Sequence, residues 1–221
     1  MLTLRLQTIL EHISKNDVVA DIGTDHGYLL KACLEKGLTF VQGIENKKGP
    51  YMRAYSNLKE YLNDERAVLS LSDGLSNLDS RIDTVVIAGM GGELIRDIIN
   101  DSFDNAKQLK KMILEPNIKN YELRKYLSDN NFKIIDEEIV KDSDKFYEII
   151  ITKYSESVSK LTHKECFFGP CLLKKRNNIF LEKWQERLNS INVILSNTEK
   201  IIEHLENEKK MIEEVLNDKS K

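Results

Sequence analysis

No run of eighteen apolar residues occurs in this 221-residue chain. A helix needs about that many to cross a bilayer, so a helical membrane span is excluded and a soluble, globular, cytoplasmic protein is expected. The opening MLTLRLQTILEHISKND offers no secretory segment. Charges interrupt it, and Leu2, Leu6, Ile9, Leu10 and Ile13 instead share one helical face. Cysteine is scarce as well: Cys33, Cys166 and Cys171 are odd in number and have no Cys-x-x-Cys spacing. That argues against a disulfide framework and against a zinc site, and no metal is expected. Nor is positive charge in excess, because 33 Lys and Arg against 36 Asp and Glu leave a net charge of −3. A protein that coats nucleic acid indiscriminately needs many phosphate-neutralising cations. A local basic patch remains compatible with this balance.

Glycine is also sparse, but its placement is informative. Eight of the ten glycines (Gly23, Gly27, Gly43, Gly49, Gly74, Gly89, Gly91 and Gly92) fall in four short clusters, each following a β-type run. Glycine costs stability inside regular elements and is useful where backbone turns tightly or approaches a ligand. Glycines at strand exits mark the end of an α/β sheet where ligands bind.

Strand candidates are Val18 to Ile22, Phe40 to Ile44, Ala67 to Leu71, Thr84 to Ala88, Lys111 to Leu114, Lys133 to Glu138 and Tyr147 to Lys153. Between the first five lie helical stretches at Gly27 to Lys36, Tyr51 to Leu62, a short piece near Gly74 to Leu78, and Glu93 to Ile99. This alternation predicts right-handed βαβ crossovers and a parallel sheet. A helix from Tyr121 to Asn130 leads to the last two strands. These are joined by a segment short enough for a hairpin, so one edge is expected to be antiparallel. The fold class is therefore α/β, with a seven-stranded, mostly parallel sheet.

Texture changes near residue 154, and the expected division is 1–154 for the α/β domain and 155–221 for a helical domain. The excess acid lies in the first part; the second is near neutral with a basic knot at Lys174, Lys175 and Arg176. From Asn178 to Leu216 there is no Gly or Pro, and Leu181, Trp184, Leu188, Ile191, Leu195, Ile202, Leu205, Ile212 and Leu216 recur at heptad spacing, interrupted at Thr198 and Lys209. Two antiparallel helices turning near Ser196 and Asn197 would zip this stripe, which Ile194 and Ile201 widen. Dimerisation through one long helix is the rival arrangement, and a monomer is favoured.

The first strand exit, DIGTDHGYLL, places Asp21 at a strand end, then a glycine turn and a helix start. Its Gly-x-x-x-Gly spacing departs from the dinucleotide fingerprint, and Asp21 with Asp25 would repel a pyrophosphate. Two carboxylates suit a cationic ligand such as S-adenosylmethionine. In GIENKKGPY, Glu45 lies 24 positions beyond Asp21, about the separation at which an acid takes ribose hydroxyls in either NAD or S-adenosylmethionine sites. LSDGLSNL offers Asp73 to an adenine amino group, and VVIAGMGGELI brings three glycines and Met90 to the sheet's centre.

DIGTDHGYL, GIENKKGP, SDGL, VVIAGMGGELI, LEPN, FYE and FGPCLL, in this order and spacing, resemble the bacterial TrmK family of tRNA (adenine-N1)-methyltransferases. AGMGG, where many amino-methyltransferases carry Asn-Pro-Pro-Tyr, is the most specific of these motifs. Thr24, Gly27, Leu30 and Glu115 depart mildly from the family pattern, and Glu115 adds negative charge near the site. The resemblance implies a Rossmann-like S-adenosylmethionine domain followed by a C-terminal α-helical coiled-coil hairpin, and methylation of N1 of the adenine at tRNA position 22.

In-line transfer to neutral N1 needs no covalent intermediate. It needs a held geometry and acceptors where charge develops on the base, with extrusion of the target from its stack. The expected cofactor residues are Asp21, Gly23, Asp25, His26, Glu45, Asn46, Asp73, Gly74, Gly89, Met90 and Gly91. Tyr28 and the Gly89 to Gly92 loop are candidates for base positioning, with Asn117 as a hydrogen-bonding partner and Asp25 or His26 as acceptors of the surplus proton. The resemblance puts Arg5 near the substrate groove. Lys174, Lys175 and Arg176 read either as a solvated face or as phosphate contacts. Two other function classes are a nucleotide-dependent oxidoreductase, disfavoured by the missing Gly-x-Gly-x-x-Gly, and a non-catalytic RNA-binding protein.

Overall fold

The computed structural model describes residues 2–197 and 202–218; Thr198 and Ile201 of the expected apolar stripe lie outside the described residues. Seven strands, β1 (Val19–Ile22), β2 (Val41–Glu45), β3 (Ala67–Leu71), β4 (Thr84–Gly91), β5 (Lys111–Ile118), β6 (Phe132–Asp142) and β7 (Lys145–Tyr154), form one sheet in the order β3-β2-β1-β4-β5-β7-β6. The first five pair in parallel, while β7 is antiparallel to β5 and β6. The β6–β7 hairpin closes on two residues, with Ser143 at φ +56°.

Helices α1 (Leu4–Glu11), α2 (Tyr28–Glu35) and α3 (Lys48–Asn63) cover one face, packing Ile9, Leu30, Cys33 and Leu58 on Val19, Val41, Val86 and Ile113. Helices α4 (Gly92–Asp101), α5 (Phe103–Gln108) and α6 (Asn120–Asp129) cover the other, burying Ile95, Ile99, Ala106 and Leu123 on Ala20, Val85, Ile87 and Leu114. Residues Val85, Val86 and Ile87 of β4 and Met112, Ile113 and Leu114 of β5 are buried on both faces and read as continuous apolar runs, the usual pattern of a covered parallel sheet.

Three expectations change. The segment Gly74 to Leu78 is a turn and not a helix. The exits of the fourth and fifth strands do not become loops at Ala88 and Leu114. β4 and β5 continue as a pair, with Met90 opposite Pro116 and Gly91 opposite Ile118 across register shifts. The short helices α5, α7 (His163–Phe168) and α8 (Leu172–Lys175) lack the length that makes a periodic signal.

Beyond α8, α9 (Asn178–Ser196) and α10 (Glu203–Asn217) pack side by side. The Arg187 guanidinium meets Glu208 through two 2.7 Å hydrogen bonds, and Arg176 Nη1 donates to the Val215 carbonyl at 2.5 Å. These cross-links run the helices antiparallel. Their apolar faces, with Trp184, Ile191, Leu205, Ile212 and Val215 buried, form a third core that reaches the sheet at Ile139 of β6.

Charge also joins this layer to the sheet. Arg124 of α6 is fully buried and bridges Glu137 of β6 and Glu148 of β7 at 2.7 Å each. Lys183 of α9 also pairs with Glu148, and the Cys171 amide donates to Glu137 at 2.8 Å. Burial alone would raise the Glu148 pKa, but the Lys183 ammonium and the Arg124 guanidinium hold it down at about 2.

Candidate functional site

The direction in which successive strands are added to the sheet reverses between β1 and β4, which run parallel, and such a switch point is where open α/β sheets bind ligands. A cavity of about 360 Å³ lies there, a size suited to a small-molecule ligand. Of the expected cofactor residues, Gly23, Asp25, Glu45, Asn46, Asp73, Gly74, Gly89 and Met90 line it, together with the apolar Ile22, Ile44, Leu94 and Ile98.

Glu45 ends β2 nearly buried. Its Oε1 accepts from the Lys47 amide at 2.9 Å and its Oε2 from the Asp25 amide at 3.4 Å. The carboxylate is thus fixed before any ligand arrives. Asp25 has φ +45° and pairs with Arg53 at 2.7 Å. Gly23 sits at φ +73°, and a Cβ there would come within 2.4 Å of Met90 Cε. The left-handed turn favours glycine here, and a side chain would also push the Met90 methyl aside.

Asp21, Gly91 and His26 are not among the lining residues. Gly91 starts α4 as its N-cap, and Gly92 follows it, packed so closely that a Cβ would meet the Lys119 carbonyl. Asp21 is buried behind the wall, where burial pushes its pKa up to about 7, with the Glu45 charge adding to this and Arg5 opposing it. A carboxyl raised in the folded state holds a proton that the unfolded chain has already released. Stability of the ligand-free protein should therefore fall as pH rises from about 4 to about 7 and level off above, by roughly 1.4 kcal/mol per pH unit from this group. Melts at pH 5.5 and 7.5 should differ less in Asp21→Asn than in the parent; an equal difference would clear Asp21 of this role.

His26 and Tyr28 leave the cavity in the other direction. Left-handed Gly27 opens α2, and the two rings stack face to face, 5.1 Å between centroids and 3° between planes. Tyr28 is 52% exposed beside a hollow shared with Leu2, Lys31 and Asn57. The structure does not bring it to the cofactor cavity or to Asn117.

Asn117 instead lines a second recess of about 610 Å³ with Arg5, Gly89, Ile118, Lys145 and Tyr147. Arg5 lies 5.3 Å over the Tyr147 ring and pairs with Glu115 at 2.5 Å. Sequence reasoning missed Tyr147 and Lys145. Tyr147 stands in the FYE motif, but its proximity to α1 arises only from tertiary packing. Gly89, at φ +77°, belongs to both cavities and is their common wall.

The basic knot is largely engaged internally. Lys175 pairs with Asp136 at 2.8 Å and Glu138 at 3.0 Å, and Arg176 holds the Val215 carbonyl. Lys174 borders a separate hollow with Lys133 and Lys160. Among the described residues no group of three His, Cys, Asp or Glu side chains could hold a metal ion. No helix among them is long and apolar enough to cross a membrane.

Comparison with known proteins agrees with this geometry. Residues 19–220 match the family model described as TrmK, tRNA (adenine(22)-N(1))-methyltransferase. The chain is 29% identical over 218 residues to the tRNA (adenine(22)-N(1))-methyltransferase of Bacillus subtilis, covering 96% of this chain and 92% of that one. The crystal structure of the B. subtilis m1A22 tRNA methyltransferase TrmK superposes with a TM-score of 0.84 at 28% identity, over 98% of this chain and 99% of the other. A Streptococcus pneumoniae protein solved in complex with S-adenosyl-L-methionine superposes with a TM-score of 0.89 at 30% identity, over 98% and 100%.

Proposed function

Given that this chain belongs to the TrmK family of tRNA (adenine(22)-N(1))-methyltransferases, and so transfers a methyl group from S-adenosylmethionine to tRNA, we propose that its two adjoining cavities divide the work at Gly89. The observation that carries this is that Gly89 lines both. The 360 Å³ cavity suits the methyl donor in its chemistry: acids at the exits of β2 and β3, apolar walls for an adenine, and glycine backbone that admits close approach. Glu45 would take the ribose hydroxyls and Asp73 the adenine amino group. S-adenosylmethionine, when bound, supplies an electrophilic methyl group on a sulfonium.

The recess beside it would seat the target adenine. Arg5, backed by the Tyr147 ring, presents a guanidinium plane on which a base can stack. Asn117 supplies a donor and an acceptor for a base edge. Holding N1 in line with the methyl is worth roughly 7–11 kcal/mol in favourable cases. No residue need take up a proton before transfer. His26 and Tyr28 then belong to the outer rim, within reach of nucleotides that flank the target, while Asp25 stays with the methyl donor in the cavity it lines.

Residues 1–154 carry the chemistry in this scheme and residues 155–221, with the helix pair as a coiled-coil hairpin, grip the body of the tRNA. A monomer acting in the cytoplasm satisfies these requirements. Incubation with labelled S-adenosylmethionine and unmodified tRNA, followed by mass spectrometric mapping, should place the methyl on N1 of adenine 22; label on another nucleotide, or none, would overturn the assignment. Tyr147→Ala should raise the KM for tRNA roughly threefold to tenfold, since it strips the ring that backs the Arg5 plane and such a cation–π contact contributes about 0.5–2 kcal/mol, while affinity for S-adenosylmethionine stays unchanged. An unaltered KM would remove the recess from base binding.

A further inference from the structure

Glu115 lies in the buried part of β5 with no exposed surface, behind Gly89, the residue that the two cavities share. One oxygen, Oε2, accepts from both the Gly89 amide at 2.9 Å and Arg5 Nη1 at 2.5 Å. The other, Oε1, has no hydrogen-bond partner among the described residues. A buried carboxylate with half its acceptor capacity unused is costly, and Arg5 is the only ion pair it makes among those residues.

We propose that Glu115 is a positioning residue for methyl transfer: it ties the Arg5 guanidinium to the Gly89 turn, and its charge balances the Arg5 cation beside the target base. The inference rests on the two-cavity scheme above and deepens it. Positive charge moves onto the adenine as N1 accepts the methyl, so an uncompensated guanidinium stacked on that base would oppose the transition state. Paired with a buried anion, the same guanidinium offers its plane without net charge. The shared oxygen also couples the two cavities, because Arg5 Nη1 lies only 3.3 Å from where a Cβ on Gly89 would sit. Displacement of either group moves the other. Arg5 is further held at its backbone, where its amide donates to Asp142 at 3.1 Å.

The test is a double-mutant cycle on the full chain with tRNA and S-adenosylmethionine. Glu115→Gln and Arg5→Met should each lower kcat at saturating tRNA by roughly tenfold or more, while calorimetric affinity for S-adenosylmethionine stays within about threefold of the parent. The double variant should cost no more than the worse single variant, because the two side chains act as one unit. Parental kcat in either single variant, losses that multiply in the double, or a loss confined to cofactor affinity would each overturn the proposal. If Glu115→Gln does not fold, Arg5→Lys against Arg5→Met decides: the lysine keeps the ion pair but not the plane and should recover part of the kcat lost in Arg5→Met, and equal loss in both would overturn the proposal. A failure of the two-cavity scheme looks different, since Tyr147→Ala would then leave the KM for tRNA unchanged.

Discussion

Replacing Glu45 with alanine should weaken S-adenosylmethionine binding by more than a hundredfold. A hydrogen bond to a charged group contributes about 1.5–3 kcal/mol, and the two ribose hydroxyls offer two of them, so roughly 3–5 kcal/mol is at stake. Each 1.4 kcal/mol is about tenfold in affinity. The carboxylate needs no reorganisation to bind, because the Lys47 and Asp25 amides already hold it. Alanine orphans those amides and loosens the turn after β2, whereas Glu45→Gln keeps one acceptor oxygen and should cost roughly tenfold. Calorimetry with both variants checks this. Affinity within threefold of the parent in the alanine variant would remove Glu45 from the cofactor site, and with it the reason for seating the ribose in this cavity.

The largest stability effect is expected at Arg124. Its guanidinium is enclosed by Glu137 and Glu148, with no exposed surface on any of the three side chains beyond 1%. Removing one partner of a buried ion cluster leaves charge without compensation and costs about 3–5 kcal/mol. For a protein of this size that corresponds to a melting temperature roughly 6–20 °C lower. Arg124→Met keeps most of the side-chain volume, so the loss isolates the charge. Because Lys183 still pairs with Glu148, the exposed deficit falls mainly on Glu137, and adding Glu137→Gln should recover part of the stability. A thermal melt within 2 °C of the parent for Arg124→Met would show that the cluster contributes nothing net.

The cavity proposed for the cofactor was legible in sequence as a cluster of strand exits, because its makers are local. An acid or glycine at the exit of a β-type run has one strong interpretation, and Gly23, Glu45, Asp73 and Gly89 converge once the parallel order brings their strands side by side. Asp21 obeys the same rule and is not among the lining residues, because side chains alternate along β1 and its neighbours Ala20 and Ile22 point into the other helical layer. The recess was legible only in part: Arg5 and Asn117 stood out singly, but they come from α1 and β5 and meet Tyr147 of β7 only through the sheet order. Tyr28 shows the converse: its place on the first loop motif was plain, while the left-handed Gly27 and the stack with His26 that turn it outward were not. Glycine and proline suggested that β4 and β5 stop early. Pairing between the two irregular segments carries both strands to Gly91 and Ile118.

Neighbouring positions on β7 point to opposite faces of the sheet. Tyr147 looks into the recess beside Arg5, and Glu148, one position on, is clasped by Arg124, Asn120 and Lys183. One strand thus carries a recess-lining ring on one face and, on the other, the ion pair that ties α9 to the sheet. In the proposed scheme a tRNA gripped by α9 would bear on the same strand that lines the base-binding recess, through Lys183 and Glu148 on one face and Tyr147 on the other, so grip and chemistry would be mechanically in series.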